Sequence, residues 1–468
     1  MNMLELSQNW AISKLINISI VVLGQSPPSS TYNEKKIGLP FFQGKAEFGV
    51  IYPIPRIWCS KPKKIAEKGD VLISIRAPVG PTNICLDKSC IGRGLAAIRG
   101  LSGIESFFIL YLIRAFESII AEKGTGSTFN AISGDQLKNI EIPLPPLNEQ
   151  HRIVEKIEEL FTKLDAGVVA LEKVRAQLKR YRQAVLKAAF SGQLTAEWRQ
   201  KHSNVGVGSS RPLEASQISD SDKSATTLQN DNLPDLPTGW EWKNGKSIFD
   251  FITSGSRGWA KYYSDTGPIF LRMGNLDHNS ISLDLRNIQH VQLPKGIEGI
   301  RTKVEANDIL ISITADVGMI ALIPENFDEA YINQHIALCR PNKEAFQKYV
   351  AWYLVCQEGG LKQFQNMRRG ATKIGLGLDD IRLMKIPITI KDEQQQIVFE
   401  IERRFSVAEE VGKTVYNALK QAKRLRQSIL KRAFEGKLVP QDPNDEPAEI
   451  LIARIKEEKQ KMDKKKKR

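Results

Sequence analysis

Residues 180–194 read RYRQAVLKAAFSGQL, and residues 424–438 read RLRQSILKRAFEGKL. Arg180, Arg182, Gln183, Leu186, Lys187, Ala189, Phe190, Gly192 and Leu194 recur as Arg424, Arg426, Gln427, Leu430, Lys431, Ala433, Phe434, Gly436 and Leu438, each 244 positions on (424 minus 180). The same offset carries Gly126-Ser127-Thr128 onto Gly370-Ala371-Thr372, and Ile142-Pro143 onto Ile386-Pro387. It also carries Asn148-Glu149-Gln150 onto Asp392-Glu393-Gln394. A register held over so many residues marks an internal duplication, and duplication decides the architecture.

Upstream the match loosens. Asp70–Ile75 followed by Val79-Gly80 resembles Asp308–Ile313 followed by Val317-Gly318, now 238 positions apart (308 minus 70). Segments 25–60 and 253–300 do not align. Each half is therefore a variable globular part followed by a shared part, as expected of one module tuned to two targets. Trp10 opens the first copy; Trp240 and Trp242 open the second.

The shared part reads as a long helix. Pro143, Pro145 and Pro146 cannot lie inside it, and Asn148 is a suitable N-cap. Ile157, Leu164, Leu171, Leu178 and Val185 then recur every seven residues, with Leu160, Val174, Tyr181 and Ala188 between them and Gly167 as the exception. In the second copy Ile397, Ile401, Ala408, Val415, Ala422, Leu425 and Ile429 give a softer version, with Arg404 and Arg432 near the seam. A plain amphipathic surface helix is the alternative. A seven-residue period in both copies predicts instead that the two helices pair as a coiled coil. About 42 residues at 1.5 Å each make a rod roughly 60 Å long. The resulting segments are a globular domain over 1–147, a helix over 148–202 and a linker over 203–238. A second globular domain over 239–391, a helix over 392–436 and a C-terminal helix with a basic tail over 437–468 follow. Ile450, Leu451 and Ile455 would share one face of that last helix, for docking a partner or for packing at home.

The globular parts alternate short apolar, β-rich runs with turns, clearest at Val71–Ile75, Ile269–Arg272 and Ile309–Ile313. Their loops hold the candidate contact residues. In the first copy these are Gln25, Ser29, Ser30, Thr31, Tyr32, Asn33, Gln43 and Lys45. In the second they are Ser256, Arg257, Trp259, Lys261, Tyr262, Arg272 and Asn275. Arg76 and Thr314 occupy matching turns, Arg93 sits in Gly92-Arg93-Gly94, and Gln334-His335 follows Asn333. Ser127 and Thr128 match a second-copy turn that carries Arg368, Arg369 and Lys373. Gln, Asn and Arg can grip base edges with two hydrogen bonds; Ser, Thr and Lys suit phosphates. A single polar loop is merely wet, whereas several, paired across a duplicated frame, point to DNA. The charge agrees: 67 Lys and Arg against 53 Asp and Glu give a net +14.

Other chemistries are poorly represented. Pro234-Asp235 and Glu241-Trp242-Lys243 only superficially resemble a PD…ExK nuclease signature, and Gly245-Lys246-Ser247 after Gly239 misses phosphate-loop spacing. The Asn/Asp-Pro-Pro-aromatic tetrapeptide of amino-methyltransferases is absent. Five Cys without a CxxC, and five His without ligand spacing, give no metal site, and the thiols suit a reducing cytosol. The apolar stretch 12–23 is interrupted by Lys14 and Asn17, so no membrane span and a cytoplasmic location are expected.

Leu144–Gln150 leading into the heptads, Leu178–Leu186, Ala188–Thr195 and the Gly92–Arg99 run together resemble the specificity subunits of type I restriction–modification systems. The resemblance spans nearly the whole chain. It implies an α+β protein: two α/β target recognition domains in pseudo-two-fold arrangement, separated by two long antiparallel coiled-coil helices. Each domain would read one half of a split, asymmetric site in double-stranded DNA. The chain itself would bind no cofactor and catalyse nothing. It would dock two modification subunits, which use S-adenosylmethionine, and restriction subunits, which use ATP and magnesium. The alternatives are a coiled-coil scaffold for protein partners and the specificity subunit of a modification-only methyltransferase.

Overall fold

Val71–Ser74 (VLIS) and Ile309–Ser312 (ILIS) are buried on both faces, which is why they lack the polar alternation of a half-wet strand. Each lies inside a four-stranded antiparallel sheet. One sheet has the order Ser19–Leu23, Leu95–Gly100, Val71–Ser74, Thr82–Ile84. The other has the order Phe249–Ser254, Ile336–Pro341, Ile309–Ser312, Ile320–Leu322, so the same sheet is built twice. The computed structural model describes residues 9–124, 131–203, 233–292, 298–368 and 375–466. The chain divides into two compact units, one of Met1–Glu172 with Tyr416–Arg468 and the other of Lys173–Val415.

Each sheet carries the same ion pair, a buried carboxylate met by a partly exposed guanidinium. Asp70 is buried and receives the Arg99 guanidinium at 2.7 and 2.9 Å; Asp308 receives Arg340 at 2.8 and 2.9 Å. The Glu67 and Glu305 amides cap the same carboxylates at 2.8 and 2.7 Å. Removing a carboxylate from water is costly, and the paired guanidinium and amide offset that cost. Covering each sheet is an apolar helix, Ser106–Ala115 in one unit and Gln347–Val355 in the other. A two-stranded ribbon closes each unit, Ala11–Lys14 with Glu141–Leu144 and Glu241–Asn244 with Lys385–Ile388. The ribbons are pinned by Trp10 and Trp240, whose indole N–H groups donate at 2.9 Å to Glu149 and Glu393 near the starts of the long helices.

The long helices span Leu147–Phe190 and Lys391–Phe434. Both stop at a left-handed glycine, Gly192 or Gly436. The helix expected to run to 202 therefore breaks, and a separate short helix, Ala196–Ser203, follows. Each unit takes one half of each long helix, and within each unit the halves run antiparallel. In the first unit Tyr111 meets the edge of Phe161, and the Arg426 guanidinium lies 4.3 Å over that ring and pairs with Asp165. In the second unit Trp352 meets Phe405 edge-on, and Arg182 lies 5.1 Å from that ring.

The seam differs from the heptad reading at several positions. Gly167, Tyr181 and Leu425 face outward, whereas Val168, Arg182 and Arg426 are half-buried. An α-helix drifts from a strict seven-residue period, and a long arginine stem can cover apolar surface beside an aromatic ring. The C-terminal helix, Ala448–Lys466, puts Leu451 and Ile455 into the core of the first unit and leaves Ile450 exposed. Glu458 accepts hydrogen bonds from Ser102 at 2.7 and 3.0 Å. Leu451 and Ile455 thus pack at home, whereas Ile450, expected on the same face, does not. Most of the 203–238 segment lies outside the described residues.

Beyond this shared frame the units diverge. The first has a five-stranded mixed sheet, ordered Tyr32–Asn33, Ile57–Cys59, Leu39–Phe42, Ser89–Ile91, Ile65–Ala66. The second has three strands, His290–Val291, Tyr263–Leu271 and Ala330–Ile332.

Candidate nucleic-acid interface

Strands Ser19–Leu23 and Val71–Ser74 end, and strand Leu95–Gly100 begins, at one edge of the first unit's shared sheet, where Ala96 faces Leu23 and Leu95 faces Ser74. The connections leaving that edge are tied by backbone bonds. Gly24 N–H donates to Leu95 O at 2.9 Å, Gln25 N–H to Ile91 O at 3.0 Å, and Ile75 N–H to Gly94 O at 2.9 Å. Gly92–Leu95 is a tight turn closed by Leu95 N–H to Gly92 O at 3.0 Å. The turn is held from outside as well. Gly92 N–H reaches Phe42 O at 2.8 Å, and Arg93 N–H reaches Ser26 Oγ at 3.2 Å. This wiring brings Gln25, Gln43, Arg76 and Arg93 to one edge, all four side chains exposed. Lys45 follows in a short 3₁₀ turn, also exposed.

The second unit repeats the wiring. Gly255 N–H donates to Ile336 O at 3.2 Å, Ile313 N–H to His335 O at 2.9 Å, and Asn333 N–H to Leu271 O at 3.1 Å. The turn Asn333–Ile336 is closed at 3.1 Å. Gly24 and Gly255 stand at equivalent points and for one reason. A Cβ on either would lie 2.1 Å from Gly92 O or 2.2 Å from Asn333 O. Ser256, Arg257, Arg272, Thr314, Gln334 and His335 gather at this second edge. Arg257 is exposed, and the other five are half-buried. Arg301 donates to Ser256 Oγ at 3.1 Å. His335 Nδ1 lies 2.5 Å from Thr314 Oγ1, and its Nε2 lies 2.9 Å from Gln334 Nε2.

Several other candidates are spent inside the fold. Trp259 is buried, stacked on Phe270 at 5.1 Å and packed on Tyr331, so its ring has no face free for a base. Asn275 is buried too. Its amide donates to Asp284 O and Asn287 O and accepts from Arg272 N–H, which fixes a turn. These two leave the set of contact residues. Tyr32 bonds Pro27 O at 2.8 Å and packs on Phe41, Asn33 bridges Ile37, and Thr31 bonds Pro28 O at 2.7 Å. Burial pushes the Tyr32 phenol upward, with the Gln43 amide and the Arg93 charge pulling the other way. Ser29 and Ser30 remain exposed. Lys261 lies 4.9 Å over the Tyr262 ring, which leans on Trp259. Arg368 bonds Val317 O at 3.2 Å. Ser127, Thr128, Arg369 and Lys373 lie outside the described residues, although Ala131 and Gly375, just beyond those gaps, pair with Arg76 and Thr314.

The sequence reading missed some cations. Lys35, Lys36, Arg56, Lys61, Lys63 and Lys64 are exposed around the five-stranded sheet, with Lys36 over Trp58 at 5.8 Å. The Lys61-Pro62-Lys63-Lys64 run was the available signal. Among the described residues no group of three or more His, Cys, Asp or Glu could hold a metal ion, and no helix is long and apolar enough to cross a membrane.

Comparison with known proteins adds an independent line. The family model for the type I restriction modification DNA specificity domain matches residues 24–173 and again 240–420. The EcoBI type I restriction enzyme specificity subunit of Escherichia coli is 25% identical over 481 residues, 98% of this chain and 94% of that protein. A Methanocaldococcus jannaschii relative, named provisionally as the MjaX type I restriction enzyme specificity subunit, is 38% identical over 193 residues, covering 41% of this chain and 44% of that protein. Among solved structures, one reported for complex assembly and conformational transition of the type I R-M system matches 92% of this chain and 99% of its own, at a TM-score of 0.65 and 21% identity. The HsdS subunit from Thermoanaerobacter tengcongensis matches at a TM-score of 0.51, 20% identity and 93% of this chain. Both structural likenesses speak to the fold.

Proposed function

The chain belongs to the type I restriction modification DNA specificity family, matched by both of its repeats, and from that membership we propose that it reads a bipartite, asymmetric site in double-stranded DNA. Each repeat reads one half-site. The observation that carries this is the duplicated sheet edge, where equivalent backbone bonds present different polar side chains in the two copies. A fixed frame with changed side chains is what two different half-sites require.

In this reading the chain performs no catalysis. It docks two modification subunits, which supply S-adenosylmethionine and methylate adenine, and restriction subunits, which use ATP and magnesium. The assembly works in the cytoplasm. Co-expression with the modification subunit of the same operon, followed by mapping of methylated adenines in the host genome, tests the whole scheme. A split motif modified in both halves is the expected result. Absence of modification, together with failure of the two proteins to copurify, would overturn it.

A further inference from the structure

Strand Leu39–Phe42 pairs in parallel with Ser89–Ile91, Phe42 facing Ile91; strand Tyr263–Leu271 pairs in parallel with Ala330–Ile332, Leu271 facing Ile332. The turns that follow, Gly92–Leu95 and Asn333–Ile336, are bonded to Phe42 O and Leu271 O in the same way. Phe42 is therefore equivalent to Leu271, and the residues just after these strands, Gln43 and Arg272, are equivalent as well. So are the first corner residues of the turns, Arg93 and Gln334. Each copy thus shows one glutamine and one arginine on two adjoining chain segments, and the copies show them in exchanged places. In the first copy the neighbourhood is tight: a Cβ on Gly92 would sit 3.0 Å from Gln43 Cγ.

We infer that these two positions are the base-reading pair of each recognition domain. Arg93 and Arg272 read guanine, and Gln43 and Gln334 read adenine. This rests on the proposed reading of a split DNA site and adds its chemistry. A guanidinium matches the O6 and N7 acceptors of guanine, and a carboxamide matches the N6 donor and N7 acceptor of adenine. Gln334 is set for that contact by a side-chain relay. Its Nε2 donates one N–H to His335 Nε2, and His335 in turn donates from Nδ1 to Thr314 Oγ1. The second N–H and Oε1 of Gln334 have no partner among the described residues, which leaves the donor–acceptor couple adenine needs. His335 is a positioning residue in this arrangement.

The test is selection of random DNA duplexes by the full chain co-expressed with its modification subunits. The wild type should select a split motif. Arg93→Gln should change one position of one half-site from guanine towards adenine, and Gln334→Arg should do the reverse in the other half-site. Each shift should be about 10- to 100-fold in base preference. His335→Ala should relax the Gln334 position and no other. The half-site that is not targeted serves as the folding control in each variant. An unchanged motif with uniformly weaker binding would make these residues phosphate contacts and overturn the inference while leaving the split site standing. A wild type that selects no split motif would overturn the proposed function itself.

Discussion

Glu149 and Glu393 occupy one position in the two repeats, yet their surroundings differ in kind. Glu393 is fully engaged, accepting from Trp240, Thr389, Thr195 and Arg199 at 2.5–2.9 Å. Glu149 accepts from Trp10 through Oε2, while its buried Oε1 has no hydrogen-bond partner among the described residues. Burial raises the Glu149 carboxyl above its ordinary value of 4.5, against the pull of the Trp10 N–H and Arg152. The folded chain therefore holds that proton more tightly than the unfolded chain. Stability from this group is present below the ordinary value and is lost as pH rises through the raised one. Glu149→Gln keeps an acceptor for Trp10 and removes the buried charge, so its unfolding midpoint should be equal to or above wild type at neutral pH. Glu393→Gln removes the charge that Arg199 pairs with and loosens the hydrogen bonds that Glu393 accepts from four side chains, and should cost about 1–3 kcal/mol. Thermal scans across acidic and neutral pH check both, and equal losses in the two variants would contradict the account. The same logic shows why contact residues were only partly legible. An asparagine that caps a turn, like Asn275, and one that faces solvent share a composition and differ only in what surrounds them. Arg93 and Gln334 could be named from sequence as polar turn residues, but their equivalence needed the hydrogen-bond register.

At the scale of elements, the long helices were the most legible part, because Pro143, Pro145 and Pro146 mark a start, although the Phe-x-Gly stop at Phe190, unlike the one at Phe434, was read through to 202. The seam was read well at Leu164, Leu171 and Leu178 and poorly where arginine stems displace the register, as at Leu425 beside Arg426. Gly167 makes the point in reverse. It lies within a helix, and a Cβ there would meet nothing within 4 Å. Gly167→Ala should stabilise the chain by about 0.5–1 kcal/mol through helix propensity alone. Phe161 and Phe405 are the opposite case, buried rings roofed by Arg426 and Arg182. Their replacement by Ala should cost about 3–5 kcal/mol each. Urea denaturation of the three variants would order them, and a Gly167→Ala variant less stable than wild type would mean that the helix is distorted at that point.

At the scale of the molecule, the duplication could be read by eye because the frame keeps its residues. The added sheets could not, since beyond one equivalent parallel strand pair the five strands in one unit and the three in the other share no sequence pattern. That divergence bears on charge. Lys61, Lys63 and Lys64 lie in the connection between strands Ile57–Cys59 and Ile65–Ala66 of the five-stranded sheet, are exposed, and have no carboxylate partner among the described residues. A lysine ammonium on a flexible stem suits phosphate, which carries no sequence information, whereas the sheet-edge pairs suit bases. The two sets should then respond differently to salt. Each phosphate contact contributes about 0.9 to the slope of log affinity against log salt. Replacing the three lysines by glutamine should lower that slope by up to about 2.7 while leaving the selected motif unchanged. Arg93→Gln should change the motif and barely move the slope. Affinities measured over a salt series for both variants would separate the roles. An unchanged slope in the lysine variant would place those cations off the DNA, and the net +14 of the chain would then have to act through other residues.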